Sequence, residues 1–265
     1  MSDTALEQQL LGVAQRAARA AGAELLARRG GPLEVRTKSS DTDPVSEADV
    51  AAEQAIRAVL AAERPDDAIL GEEGGQSDGP SGLRWVVDPL DGTVNYLYGL
   101  PAFVVSVACE DAEGGLVGVT FDPLRDLLYS ATRSGPARCG ETILAGSSET
   151  ELSHAMIATG FSYDAAVRGV QGRLVAQMLP QVRDIRRVGA AALDLTWLAA
   201  GRFDAYFERG VKAWDIAAGS LLCSRAGLVV RHLDAVPARN GDVALPDGVL
   251  VAPPALIDQL HAFVA

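Results

Sequence analysis

The amino-acid sequence predicts a layered α/β protein, with an α+β part first and an α/β part after it. Three observations carry that expectation. Two long helical periodicities open the chain, closely spaced β-branched apolar runs crowd residues 69–132, and beyond about residue 150 strand-like and helix-like segments alternate.

The first helix is expected over residues 5–28, where Leu6, Leu10, Val13 and Ala17 share a face, and Gly30-Gly31-Pro32 ends it. A second is expected over residues 46–63, with Ser46 as N-cap after Pro44 and acidic residues in its first turn. Its inward stripe is Ala52, Ile56, Val59 and Leu60. Asp49 precedes Ile56 by two helical turns, so its carboxylate falls on the stripe that faces the core. A charge placed there needs an internal partner.

Strands are expected at Ile69-Leu70, Trp85–Val87, Phe103–Cys109, Leu116–Phe121 and Leu127–Thr132, close enough together to form a largely antiparallel sheet. The stretch Gly74–Gly82, rich in Gly, Ser and Pro, is expected to be a surface loop. Then come a strand at Ile185–Val188, a helix around Ala190–Ala200, a strand at Ala205–Phe207 and a helix at Trp214–Ala226 ended by Gly227. A strand at Val249–Ala252 and a helix at Pro254–Phe263 close the chain.

A chain of 265 residues, 48% of them hydrophobic, can bury a full core. No apolar run approaches the roughly 20 residues that span a bilayer, and no export signal precedes the first helix, so a soluble cytoplasmic protein is expected. Cys109, Cys139 and Cys223 are far apart and fit neither a disulfide framework nor a zinc site. A net charge of −12 argues against nonspecific binding to nucleic acid or an anionic membrane, and an anionic small substrate would need cations to mediate.

The sharpest local feature is Trp85-Val-Val-Asp88-Pro-Leu-Asp91-Gly-Thr93-Val-Asn-Tyr96, an apolar strand ending in two aspartates around a Pro turn. Their mutual repulsion is of the kind a hard, oxygen-ligated divalent cation offsets. Gly92 lets backbone approach a ligand, and a helix entered at Thr93 would direct free N–H groups at an anion. The plainer alternative makes Asp88 and Asp91 a turn and a helix cap. Glu72, after the strand-like Ala68-Ile-Leu70, and Asp215, opening a small-faced helix at Trp214-Asp-Ile-Ala-Ala-Gly219, admit similar plain readings singly. In combination the four acids favour a metal site.

At these residues the chain resembles the inositol monophosphatase family of metal-dependent, lithium-inhibited phosphatases, particularly its bacterial branch. Lys38-Ser-Ser-Asp-Thr-Asp-Pro-Val-Ser-Glu-Ala-Asp49 is similar to the family's mobile loop with its Lys and following Asp, and Gly71-Glu-Glu73 to its Gly-Glu-Glu signature. Asp88-Pro-Leu-Asp-Gly-Thr-Val-Asn-Tyr96 and Trp214-Asp-Ile-Ala-Ala-Gly219 are similar to its two Asp motifs, and the four motifs follow in the family's order over nearly the whole chain.

The resemblance implies a layered αβαβα sandwich of the sugar-phosphatase type. It would form one unit over residues 1–265, with an α+β part at 1–145 and an α/β part at 146–265. It implies two or three Mg2+ ions that activate water for direct attack on phosphate, without a covalent intermediate. Glu72, Asp88 and the Leu90 carbonyl would hold the first ion, Asp88, Asp91 and Asp215 the second, and Glu72 would reach a weaker third. Gly92 and Thr93 would contact phosphate, while Thr93 and Asp49 would orient and deprotonate the attacking water. Val188-Gly-Ala-Ala191 and Ala205-Tyr-Phe-Glu208 match polyol-contacting segments, which makes Ala191 and Glu208, with Asp215, substrate contacts. A homodimer is the corresponding expectation.

Relatives hydrolyse inositol phosphates, histidinol phosphate, fructose 1,6-bisphosphate or 3'-phosphoadenosine 5'-phosphate, and the pattern from Gly189 to Glu208 favours inositol 1-phosphate. Some bacterial relatives act instead as partners of the transcription machinery. Leu90-Asp-Gly-Thr93 also resembles the haloacid-dehalogenase phosphatases, but Pro89 stands where their nucleophilic Asp would be. His154, His232 and His261 show no metal-ligand spacing, and the pairs Arg28-Arg29 and Arg186-Arg187 are too isolated to form a nucleic-acid surface. Ser162 is near a substrate position on a loose match, and Asp194, among apolar neighbours, is expected to make a structural hydrogen bond.

Overall fold

The computed structural model describes residues 3–31, 35–37, 44–238 and 243–265, with backbone alone at 35–37, 44 and 45. The loop lysine, Lys38, lies outside the described residues. In chain order the first elements are α1 (Asp3–Arg28), β1 (Val35–Thr37), β2 (Pro44–Ser46), α2 (Glu47–Glu63), β3 (Ala68–Gly71), β4 (Gly75–Ser77), β5 (Arg84–Asp91) and α3 (Thr93–Leu97). They are followed by β6 (Val104–Asp111), β7 (Gly114–Asp122), β8 (Leu127–Thr132), β9 (Arg138–Cys139), β10 (Thr142–Ile143), β11 (Met156–Thr159) and α4 (Ala165–Met178). The last are β12 (Asp184–Arg186), α5 (Ala191–Ala199), β13 (Ala205–Arg209), α6 (Ala213–Arg225), β14 (Val229–Leu233), β15 (Gly248–Ala252) and α7 (Ile257–Val264).

The first large sheet runs β10-β9-β8-β7-β6-β5-β3-β4 and is antiparallel except where β3 lies parallel to β5. The second runs β12-β11-β13-β15-β14, with β12, β11 and β13 parallel and β15 and β14 antiparallel to their neighbours. Parallel neighbours need crossovers, and α4 and α5 supply them. Five layers result. Trp85, Val87, Val105, Val107, Val117 and Val119 point from the first sheet to α1 and α2, packing on Leu10, Val13, Ala52 and Ile56. In the second sheet Tyr206, Val249 and Val251 face α5 and α6 in the middle, while Ala205, Phe207, Leu250 and Ala252 face Met178 and α7 outside. That period-two alternation is what burial of both strand faces requires.

The middle layer is thin because its residues are small. A Cβ on Gly118 of β7 would come 2.9 Å from the Ala218 carbonyl of α6, and one on Gly219 would come 2.6 Å from Leu195 Cβ of α5. The small face noticed at Ala217-Ala218-Gly219 therefore lets α6 press against sheet and helix together.

Several elements differ from expectation. The segment Gly74–Gly82 is not wholly loop, since Gly75–Ser77 pairs with Ile69–Gly71 as an exposed edge strand. The helix α4 and the strands β11 and β14 carry no strong sequence signal: α4 holds Gly169 and Gly172, and β14 sets Arg231 and His232 side by side among its apolar residues. The last helix begins at Ile257, three residues later than Pro254.

A candidate active site between the two sheets

The strand β5 delivers two of the acids. It carries a β-bulge between Asp88 and Asp91, where its pairing with β6 shifts register, so both carboxylates leave the ladder close together. Asp88 accepts the Leu90 N–H at 2.9 Å. Asp91 accepts the Ala191 and Leu193 N–H groups at 3.0 and 3.1 Å, which ties the end of the first sheet to the start of α5. Gly92 then turns the chain with φ of 97°, and a Cβ there would come 2.9 Å from the Ala102 carbonyl, so conformation and space both require glycine. Asn95 closes the arrangement by donating to the carbonyls of Ala102 and Val188 at 2.8 and 3.0 Å.

Asp49, fully buried as the helical spacing predicts, serves two structures at once. Its Oδ2 accepts from the Ser46 N–H and hydroxyl at 2.8 and 2.6 Å, completing the capping box of α2. Its Oδ1 accepts from the Thr93 hydroxyl at 2.9 Å. Asp215 caps α6 in the same manner, taking the Lys212 N–H at 2.6 Å. Here the cap reading and the site reading describe one side chain.

Glu72, Asp88, Leu90, Asp91, Gly92, Thr93, Ala191, Glu208 and Asp215 all line one cavity of about 720 Å³. Asp49 stands behind Thr93 and outside that lining. Burial, reinforced by Glu72, Asp91 and Asp215, raises the Asp88 carboxyl well above the usual carboxylate range. Burial also pushes Asp91 up to about 7, against the pull of its backbone hydrogen bonds. Asp215 is raised well above its ordinary value, by burial first and then by Asp91 and Glu72. Glu208, partly buried and accepting from the Tyr206 hydroxyl at 2.6 Å, is raised by burial too. A partly buried cluster of mutually repelling oxygen donors is the environment that a hard divalent cation stabilises. Among the described residues no three His, Cys, Asp or Glu side chains are already gathered into a finished ligand set. The fit to a cation therefore rests on the chemistry of the donors and their shared cavity.

Sequence reasoning passed over the cavity's cations. Arg187 and Lys212 line it, together with Phe161, Ser162 and Tyr163. Arg187 precedes the Val188-Gly189 segment already tied to substrate, which was the available signal. Asp194 corrects an expectation: it is buried, yet neither carboxylate oxygen has a hydrogen-bond partner. Burial, with the charges of Glu208 and Asp91, raises its pKa well above the ordinary value, and the anticipated structural hydrogen bond is not formed. None of the histidines lines the cavity.

The five-layer sandwich, with a carboxylate-lined cavity where its sheets meet, is that of a phosphatase, a phosphoric monoester hydrolase. The chain belongs to the inositol monophosphatase family, whose sequence profile matches residues 6–264. It is 43% identical over 253 residues to an inositol-1-monophosphatase of Mycobacterium leprae, covering 91% of this chain and 84% of that one. It is 40% identical over 248 residues to a Nus factor SuhB of Pasteurella multocida, covering 92% and 90%. Among solved structures, the extragenic suppressor protein suhB from Bartonella henselae superposes with a TM-score of 0.87 at 32% identity, covering 96% of this chain and 98% of that chain.

Proposed function

We propose that this protein hydrolyses a small phosphate monoester, myo-inositol 1-phosphate foremost, with magnesium held by Glu72, Asp88, the Leu90 carbonyl, Asp91 and Asp215. The observation that carries the reading is the convergence of those donors, from β5, the β3 turn and α6, on one cavity beside Gly92 and Thr93. Bound magnesium would supply Lewis-acid activation of water and charge neutralisation at the phosphate.

The chain's own residues would do the rest. The Thr93 hydroxyl spends its proton on Asp49 Oδ1, which leaves an oxygen lone pair free to accept a hydrogen bond from water and orient it. Asp49, behind it, is the proton's destination. Gly92 and the Thr93 N–H would meet phosphate oxygens, and Glu208, aimed into the cavity, would accept from a substrate hydroxyl beside Ala191. Arg187 and Lys212 at the cavity wall favour an anionic substrate despite the net charge of −12.

Phosphate release measured with Mg2+ on inositol 1-phosphate, histidinol phosphate, fructose 1,6-bisphosphate and 3'-phosphoadenosine 5'-phosphate tests this. The highest kcat/KM is expected on inositol 1-phosphate; a large preference for another compound overturns the substrate, and silence on all of them overturns the catalytic reading. The likeness to a Nus factor SuhB supports a second role as a partner of the transcription machinery. Retention of transcription components by folded Asp88→Asn protein would establish that role apart from catalysis, and loss of retention would tie it to the metal site. The family resemblance also supports a homodimer, for which sedimentation should give twice the 27.7 kDa of one chain.

A further inference from the structure

Glu53 lies one turn beyond Asp49 on α2, and its side chain is only 2% exposed. Its carboxylate is aimed at the turn that follows β3. Oε2 accepts the Glu73 N–H at 2.7 Å, and Oε1 accepts both the Gly74 N–H at 2.9 Å and Arg57 Nε at 2.7 Å. Arg57 continues the clamp by donating to the Gly75 carbonyl at 2.7 Å. The approach depends on missing side chains: a Cβ on Gly71 would come 2.4 Å from Glu53 Oε1, and one on Gly74 would come 2.6 Å from it. Both glycines of Gly71-Glu-Glu-Gly74 thus make room for one buried carboxylate.

Between those glycines stands Glu72. Its N–H reaches the Val87 carbonyl at 3.3 Å, and its side chain lines the same cavity as Asp88. The turn is otherwise flanked by the short β3–β4 ladder, in which Gly71 pairs with Gly75. Gly74 and Gly75 are exposed, and β4 is a three-residue edge strand with every residue exposed. Burying a carboxylate is costly unless hydrogen bonds compensate it, and here the Glu53 bonds go to the turn and to the arginine that also grips it.

We propose that Glu53 is a positioning residue for the metal site, fixing the turn so that Glu72 faces Asp88 across the cavity. The inference rests on the metal assignment proposed above. A role confined to docking α2 on the sheet would affect folding and leave the ligand properties of Glu72 alone. The two roles separate in a double-mutant cycle with Glu72.

The experiment titrates metal-stripped full-length protein with Mn2+, following free ion by electron paramagnetic resonance, and in parallel measures the Mg2+ concentration for half-maximal phosphate release. Folded Glu53→Ala should bind Mn2+ about 10-fold to 100-fold more weakly. Its substrate KM at saturating Mg2+ should be unchanged. Adding Glu53→Ala to Glu72→Gln should weaken binding no further than Glu72→Gln does. Wild-type Mn2+ affinity in folded Glu53→Ala overturns the proposal, and so do losses that simply multiply in the double variant. If Glu53→Ala does not fold, Glu53→Gln carries the test by the same criteria. Its amide must turn an NH2 toward Glu73 N–H, Gly74 N–H or Arg57, all of them donors, so a smaller loss confined to the Glu72 background is expected. Wild-type protein that binds no Mn2+ also overturns the proposal. Wild-type protein that binds Mn2+ but hydrolyses no monoester removes the functional reading and leaves the Glu53 result standing.

Discussion

Asp88 accepts the Leu90 N–H through Oδ1 at 2.9 Å while burial and three neighbouring carboxylates raise its pKa. An asparagine there keeps the acceptor and removes the charge, so the bulge of β5 survives and the charge proposed to hold metal does not. Asp88→Asn should therefore reduce phosphate release to background while the metal-free thermal midpoint holds or rises; near-normal turnover would sink the metal assignment. Thr93 is different, because its hydroxyl contacts Asp49 and the Leu90 carbonyl instead of supplying charge. Thr93→Ala should lower kcat about 100-fold, within the range of lost proton-transfer assistance, and leave the Mg2+ concentration dependence unchanged. A shift in that dependence would count against the water-orienting role. Asp49 and the acidic quartet could be read from sequence because each sits at a strand end, a cap or a core-facing helical position. Glu53 could not, since at that spacing an acid with Arg57 four residues on looks like an ordinary surface pair.

At the scale of elements, α6 reaches the first sheet because β7 carries Gly118 beneath it. A Cβ at that position would meet the Ala218 carbonyl oxygen, Cα and carbonyl carbon at 2.9, 3.0 and 3.4 Å, and backbone cannot rotate aside as a side chain can. Gly118→Ala should lift α6 slightly, costing about 1–3 kcal/mol of stability as overpacking generally does. Asp215 lies one turn earlier on the same helix, so the variant should also need more Mg2+ for half-maximal activity. Denaturant unfolding and a Mg2+ titration of phosphate release check the two effects; a stability loss with unchanged Mg2+ dependence would show that Asp215 is held by its cap alone. Sequence pattern gave the main strands because β5 to β8 are apolar and β-branched enough to mark themselves. It missed α4, whose glycines weaken helical propensity, and β14, whose adjacent Arg231 and His232 break both a continuous and an alternating apolar pattern.

At the scale of the whole molecule, the acids come together only when both large sheets and the helices between them are in place. Glu72 and Asp88 belong to the first sheet's side, Asp215 to the middle layer and Glu208 to the second sheet. This convergence is beyond what helical or strand periodicity can encode, and motif order supplied it instead. Its thermodynamic consequence can be measured on metal-free protein. Asp91 has an ordinary pKa of 3.8 and a folded pKa of about 7, and Asp88 and Asp215 are raised as well. A carboxyl whose pKa rises on folding holds its proton more tightly in the native state. Its stabilising contribution is complete below the unfolded pKa and is lost as pH rises through the folded one. With metal chelated, unfolding free energy should therefore fall by a few kcal/mol between pH 4.5 and pH 7.5, in the window set by Asp91. On the proposed metal assignment, saturating Mg2+ should oppose that fall, because it would bind the deprotonated native site and stabilise the fold by mass action, more strongly the higher the pH. Denaturant midpoints at both pH values, with chelator and with Mg2+, test the linkage. A metal-free stability that rises across the window would mean the buried acids are compensated by the protein itself and need no cation.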